Sequence, residues 1–122
     1  MIAPKAIIKH LLGILLSFSM STCAFALKTD DQTCEKSKIE ARTDLKNNKV
    51  CFILQGGIAP VYRVGQEVFE KKYKVSYFDL GCLMPSNLCV EHYNAEVAKH
   101  LDQKYGKRWR KEVRNDVKGV LR

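Results

Sequence analysis

Val50 to Leu54, inside "KVCFILQ", are apolar at five successive positions without alternation. A half-exposed strand alternates apolar and polar residues, and a surface helix returns to its apolar face every three or four. A short unbroken run therefore fits a strand covered on both faces. "GGIAP" ends it, because two glycines permit a sharp turn and Pro60 moves the residue before it out of the helical region. A second strand is predicted in "VSYFDL", Val75–Leu80, which is rich in β-branched and aromatic residues. Its alternation sets Val75, Tyr77 and Asp79 on one face and Ser76, Phe78 and Leu80 on the other. Between the two runs, Val64, Val68, Phe69 and Tyr73 recur at helical spacing. A strand, a helix and a strand in this order place the strands parallel. The expected fold is α/β, a small two-layer domain with this strand-helix-strand unit and C-terminal helices, stapled by disulfides.

The flanks read as helical. Asp31 to Lys46 carries a thin stripe of Cys34, Ala41 and Leu45, which predicts a peripheral helix capped by Asp30 or Asp31 and stopped by Asn47 and Asn48. A long helix is expected to begin after Ser86 or Asn87, with Val90, Tyr93, Val97, Leu101 and Tyr105 facing the core and Gly106 as its left-handed stop. Trp109, Val113, Val117 and Leu121 follow at four-residue steps and predict a second C-terminal helix. A short third strand around "PVYR" is an open alternative.

The first 26 residues have the three zones of an export signal: Lys5 and Lys9, an apolar stretch, and the small residues of "AFA". The expected organisation is a signal peptide over 1–26, an N-terminal helical segment over 27–48 and the α/β domain over 49–122. Cys23, in "MSTC", offers an alternative as a lipid-attachment site, in which case a membrane surface is a partner. Loss of Lys5 and Lys9 lowers the net charge from +8 to +6. In a periplasmic or secreted protein nucleic acid is not an expected partner.

Export also governs the four remaining cysteines, Cys34, Cys51, Cys82 and Cys89, which an oxidising compartment would join in two disulfides. Cys82 and Cys89 lie close across a turn-rich loop, so the pairing expected is Cys82–Cys89 with Cys34–Cys51. Zinc is the competing use, with Cys89 and His92 three apart on a helix and Cys82 or Asp79 joining them. Export favours disulfides, and no metal or cofactor is assigned.

Four segments in order, "GGIAPVY", "FEKKY", "YFDLGC" and "YNAEVAKHLDQKYGKRWRKEVRNDV", resemble a family of small bacterial proteins named for a FEKKY domain. The resemblance covers Val50 to the C-terminus. It implies an exported bacterial protein, but no activity and no catalytic residues. The chain departs from the family's pattern at Lys74, where Gly or Asn suits a left-handed helix end. That departure predicts a less sharp or mildly strained helix terminus.

Two candidate sites follow. In open α/β sheets ligands sit outside the carboxyl ends of the strands, here Gln55, Gly56 and Gly57 against Asp79, Gly81 and Cys82. Asp79 and His92 are the candidate catalytic residues of a hydrolase-like or thiol-dependent enzyme at that edge, Asp79 acting with Cys82 or His92. The competing reading makes the glycines turns and Asp79 a loop cap. The second site is basic: nine Lys or Arg from Lys99 to Arg122 face only Asp102, Glu112 and Asp116. Lys107, Arg110, Lys111, Arg114 and Lys118 would crowd the helical face opposite Trp109 and Val113, and the first four would bind an anionic surface or polymer in the envelope. A non-enzymatic binding module is the leading expectation.

Overall fold

The computed structural model describes residues 29–122, so the expected signal peptide and Cys23 lie outside the described residues. The order of elements is helix α1 (Thr29–Lys46), strand β1 (Cys51–Leu54), helix α2 (Gln66–Tyr73), strand β2 (Ser76–Asp79) and helix α3 (Val90–Tyr105). A 3-10 turn over Arg108–Lys111 and a run of turns complete the chain.

β1 and β2 are parallel, with Phe52 opposite Tyr77 and Ile53 opposite Phe78. Paired residues share a face, so Phe52, Leu54 and Tyr77 look one way and Cys51, Ile53 and Phe78 the other. The first face carries the aromatic core. The Trp109 ring lies 5.7 Å from Phe52 and the Phe69 ring of α2 lies 5.8 Å from Tyr77. All four residues of β1 are buried, as its unbroken apolar run requires, whereas β2 alternates.

Both edges of this small sheet are occupied by side chains. Asn94 of α3, fully buried, accepts from the Ile53 amide at 2.8 Å and donates to the Ile53 carbonyl at 2.8 Å. These are the two bonds a third strand would make. Its amide also donates to the Lys118 carbonyl at 2.9 Å. On the outer edge, Glu70 Oε1 accepts from the Tyr77 amide at 3.1 Å. An unpaired edge is a template for other chains, and here polar side chains cap one group or pair on each edge.

α1 is held to α3 by small and polar residues. Ser37 and Ala41, one turn apart, are buried and permit close approach. Ser37 Oγ accepts from the Cys89 amide at 2.9 Å, Tyr93 Oη donates to Asp44 at 2.6 Å, and Arg42 pairs with Glu96 at 2.9 Å.

The cysteine pairing differs from expectation. Cys34 is bonded to Cys89; neither the Cys82–Cys89 nor the Cys34–Cys51 bond forms, and Cys51 is a buried thiol and Cys82 an exposed one. Closing 55 residues rather than seven raises the loop entropy term by only about 2 kcal/mol. The packing of α1 on α3 decides instead, because it brings the Cys34 and Cys89 α-carbons to 4.9 Å. The zinc alternative falls with it, since Cys89 is consumed. Asp30 is near these sulfurs, but they are bonded to each other rather than offered as thiolates.

The second C-terminal helix does not form. Trp109, Val113 and Val117 are buried at their four-residue spacing, but through turns, and Leu121 is exposed. Arg114 reaches forward to Asp116 and closes a turn where a helix would continue. Gly119, at φ +82°, lies against the Glu91 carbonyl of α3, where any β-carbon would collide. α3 starts at Val90 rather than after Ser86 or Asn87, with Cys89 in extended backbone before it. Pro60–Arg63 forms no strand. Lys74 ends α2 at φ +49°, ψ +47°, the left-handed conformation its position predicted, held by a side chain that does not favour it.

Candidate anion-binding cleft

The strand ends are largely closed upon themselves. Asp79 Oδ1 accepts from the Gly81 amide at 2.7 Å, the loop-cap role. The Gly56 amide donates to the Gly81 carbonyl at 3.2 Å and ties the two loops together. Gln55 Oε1 accepts from Lys118 Nζ at 2.9 Å. A β-carbon at Gly56 or Gly57 would meet no protein atom within 4 Å, so packing does not require glycine there. Asp79 borders a small hollow of about 200 Å³, whereas exposed His92 borders another one beside the Cys34–Cys89 bond. The enzyme constellation of Asp79 with His92 is therefore not assembled, and exposed Cys82 lines neither hollow.

The expected basic face is also dispersed. Arg110 forms a two-pronged pair with Asp102, Nε to Oδ1 at 3.0 Å and Nη2 to Oδ2 at 2.7 Å. This holds the Asp102 carboxyl below its usual range, with the Trp109 indole N–H at 3.0 Å as a further donor. Arg110 is thus a structural cation. Lys107 and Lys111 remain exposed, but without a helix they do not form one stripe with it.

Arg114 faces elsewhere. Its side chain is only 7% exposed, and it binds both oxygens of Asp116 and Gln66 Oε1 at 2.6 Å. Its guanidinium also lies 5.4 Å from the Tyr77 ring centre. It forms the wall of a cleft of about 450 Å³ bordered by Arg63, Gln66, Tyr77, Asn115 and Arg122. Gln66, Tyr77 and Arg114 also border the hollow at Asp79, so the two recesses share a wall.

Charge in the cleft is unbalanced toward the positive. Asp116 is held in its ionised form chiefly by Arg114, and it also takes a long 3.4 Å contact from Arg63. Glu112, the acid that borders the cleft, is neutralised by Lys72 at 2.8 Å and accepts from Tyr73 Oη at 2.8 Å. Arg122 has one long 3.4 Å bond to the Val113 carbonyl. A guanidinium carries five N–H donors, so Arg63 and Arg122 retain most of theirs for an anion. Tyr77 Oη is buried and donates no hydrogen bond to a described residue, while the Arg114 backbone N–H is directed toward it. Burial pushes its ionisation well above the usual tyrosine range, against the opposing pull of the Arg114 backbone amide. It remains a neutral O–H donor at the back of the cleft.

No known family, curated protein or solved structure matches this chain.

Arg114 is the one expected binding residue that the structure places in the cleft. Arg63, Gln66, Tyr77 and Arg122 carry no signal in the sequence. Arg114 and Gln66 are 48 positions apart, and only the fold makes them neighbours. Arg63 sits singly in an apolar loop and Arg122 in a stretch whose charges read as a helix surface.

Proposed function

We propose that this protein is an exported bacterial binding module of the FEKKY-like kind, and that it recognises an oxyanion group, phosphate or carboxylate, through the Arg63–Arg114–Arg122 cleft. One observation carries the reading: Arg63, Arg114 and Arg122 border a single recess whose own acid, Glu112, is paired with Lys72, while Asp116 beside it is shared by Arg63 and Arg114. Arg114 is fixed by that carboxylate and Gln66, so its position needs no reorganisation on binding. Arg63 and Arg122 supply forked donors suited to planar or tetrahedral oxyanions. Binding rather than catalysis is favoured because Asp79 is used by its own loop and neither His92 nor His100 borders the cleft.

Export rests on the signal-like first 26 residues and agrees with the Cys34–Cys89 bond. Among the described residues no helix is long and apolar enough to cross a membrane. The test of the site is an NMR titration with inorganic phosphate and with succinate. Saturable shifts at Arg63, Gln66, Tyr77 and Arg122 are expected, and the Arg63→Gln/Arg122→Gln double variant should weaken binding about tenfold or more. Binding that is unchanged in that variant, or absent for both anions at millimolar concentration, would refute the reading. Mass analysis of exported protein should show a chain beginning at Leu27.

A further inference from the structure

Five of the ten large apolar side chains left exposed among the described residues fall between Ile58 and Val68. They are Ile58, Val61, Tyr62, Val64 and Val68; Ile58 and Val64 are 98% and 99% exposed. This segment is the β1–α2 loop and the first turn of α2. Single exposed apolar residues are ordinary, but a contiguous set marks a surface that meets something apolar. Arg63 stands in the middle of the set, and Arg63 and Val64 both border the arginine cleft.

We infer that the Ile58–Val64 loop docks on an anionic lipid bilayer, with a headgroup phosphate entering the arginine cleft. The inference rests on the oxyanion reading above and names its source. Two features favour a bilayer over a protein partner. Side chains exposed as fully as Ile58 and Val64 have almost no protein around them, and a fluid acyl layer accepts such projections without a matching pocket. The chemistry is also ordered by depth. Aliphatic tips suit the acyl boundary, the Tyr62 ring suits the interface, and arginines suit the phosphate level. Charge is complementary: without Lys5 and Lys9 of the leader the chain is +6, and anionic lipid attracts cations near its surface. Glu67, which interacts with the Tyr62 hydroxyl, is an opposing acid beside the loop, and Asp116 is already neutralised by Arg114.

The experiment is co-sedimentation of the chain from Leu27 onward, the form expected once the leader is removed. The vesicles are phosphatidylcholine alone or with about one third phosphatidylglycerol. Preference for the anionic vesicles is expected. Ile58→Ser/Val61→Ser should lower partitioning about a hundredfold, because each side chain loses the burial of a whole aliphatic group. That variant should keep its response to inorganic phosphate, since neither residue borders the cleft and neither substitution adds charge. Arg63→Gln/Arg122→Gln should lose both the anionic preference and the phosphate response.

Several results would overturn the inference. One is wild-type protein that ignores both vesicles. A second is a loop variant that binds vesicles as the wild type does. A third is wild-type self-association, abolished in the loop variant, without vesicle binding; that would assign the loop to a protein interface. In each of these an arginine-dependent phosphate response would still stand, so the cleft reading and the bilayer inference fail separately.

Discussion

Replacing Asn94 tests the joint between α3 and the sheet. The residue is fully buried and makes three hydrogen bonds, two of them to both polar groups of Ile53. Leucine has nearly the same volume but leaves the Ile53 amide and carbonyl without partners. Each buried orphan costs about 1–3 kcal/mol. The Lys118 carbonyl is only part-buried and can turn to water. Leucine's added apolar burial offsets about 1 kcal/mol. The net loss for Asn94→Leu is then about 3 kcal/mol, the sum of two orphans at about 2 kcal/mol each less that offset. A domain of this size has a total stability of about 9 kcal/mol, so the variant should fold. In urea, with a slope of about 1.3 kcal/mol/M, its midpoint should fall by about 2 M.

Asn94→Asp adds a test of sign. Its carboxylate keeps the bond from the Ile53 amide but meets the Ile53 and Lys118 carbonyls in a buried site. Its folded pKa is therefore raised above the unfolded value of about 3.9. Relative to the wild type, the variant should be least destabilised below that value and lose stability as pH rises through the folded pKa. A midpoint shift below about 0.5 M for the leucine variant would show that the two Ile53 bonds do not carry this joint. A pH trend like the wild type's for the aspartate variant would refute the buried placement.

Wild-type stability should run the other way with pH. Glu96, Asp102 and Asp116 are held below their usual range chiefly by Arg42, Arg110 and Arg114, respectively. Their contribution should be complete above about pH 5 and be lost progressively as acid titrates them below about pH 4, seen as a falling urea midpoint. Removing the Cys34–Cys89 bond, by Cys34→Ala/Cys89→Ala, should cost about 4 kcal/mol from the freed loop alone. Alkylation of native protein followed by peptide mapping should label Cys82 at once and Cys51 only after unfolding; a Cys82–Cys89 link would contradict the fold. Lys74→Gly should raise stability by about 0.5–1 kcal/mol, because glycine adopts the left-handed end of α2 without strain. A loss at that position would show that the conformation is not strained.

The strand-helix-strand unit was legible because its signals are local. An unbroken apolar run, a helical stripe and an alternating strand each fix their own structure, and Lys74 even marked where strain would sit. The stripe of α3 was equally plain. What failed was everything set by partners distant in sequence. The four-residue spacing of Trp109, Val113 and Val117 reported burial correctly, but a helix was inferred from it. The Arg114–Asp116 turn and the Gly119 contact with α3 use those same burial positions differently. The cysteines were paired by nearness in sequence, although helix packing brings Cys34 to Cys89. The basic segment suggested a surface stripe, yet Arg110 and Arg114 each find a carboxylate. For the site itself, Asp79 and the glycines stood where the sheet rule puts a ligand, and they turned out to bind their own loops. The recess lies next door, built from residues whose convergence no spacing announces.

The Cys34–Cys89 bond encloses β1, α2 and β2 in one covalent ring. The loop bearing Ile58 and Val64 lies within that ring. A protease that cuts there opens the ring without releasing a fragment, since both new ends remain attached through the sulfurs. Scission and separation are thus two events for this protein, and the second requires a reductant.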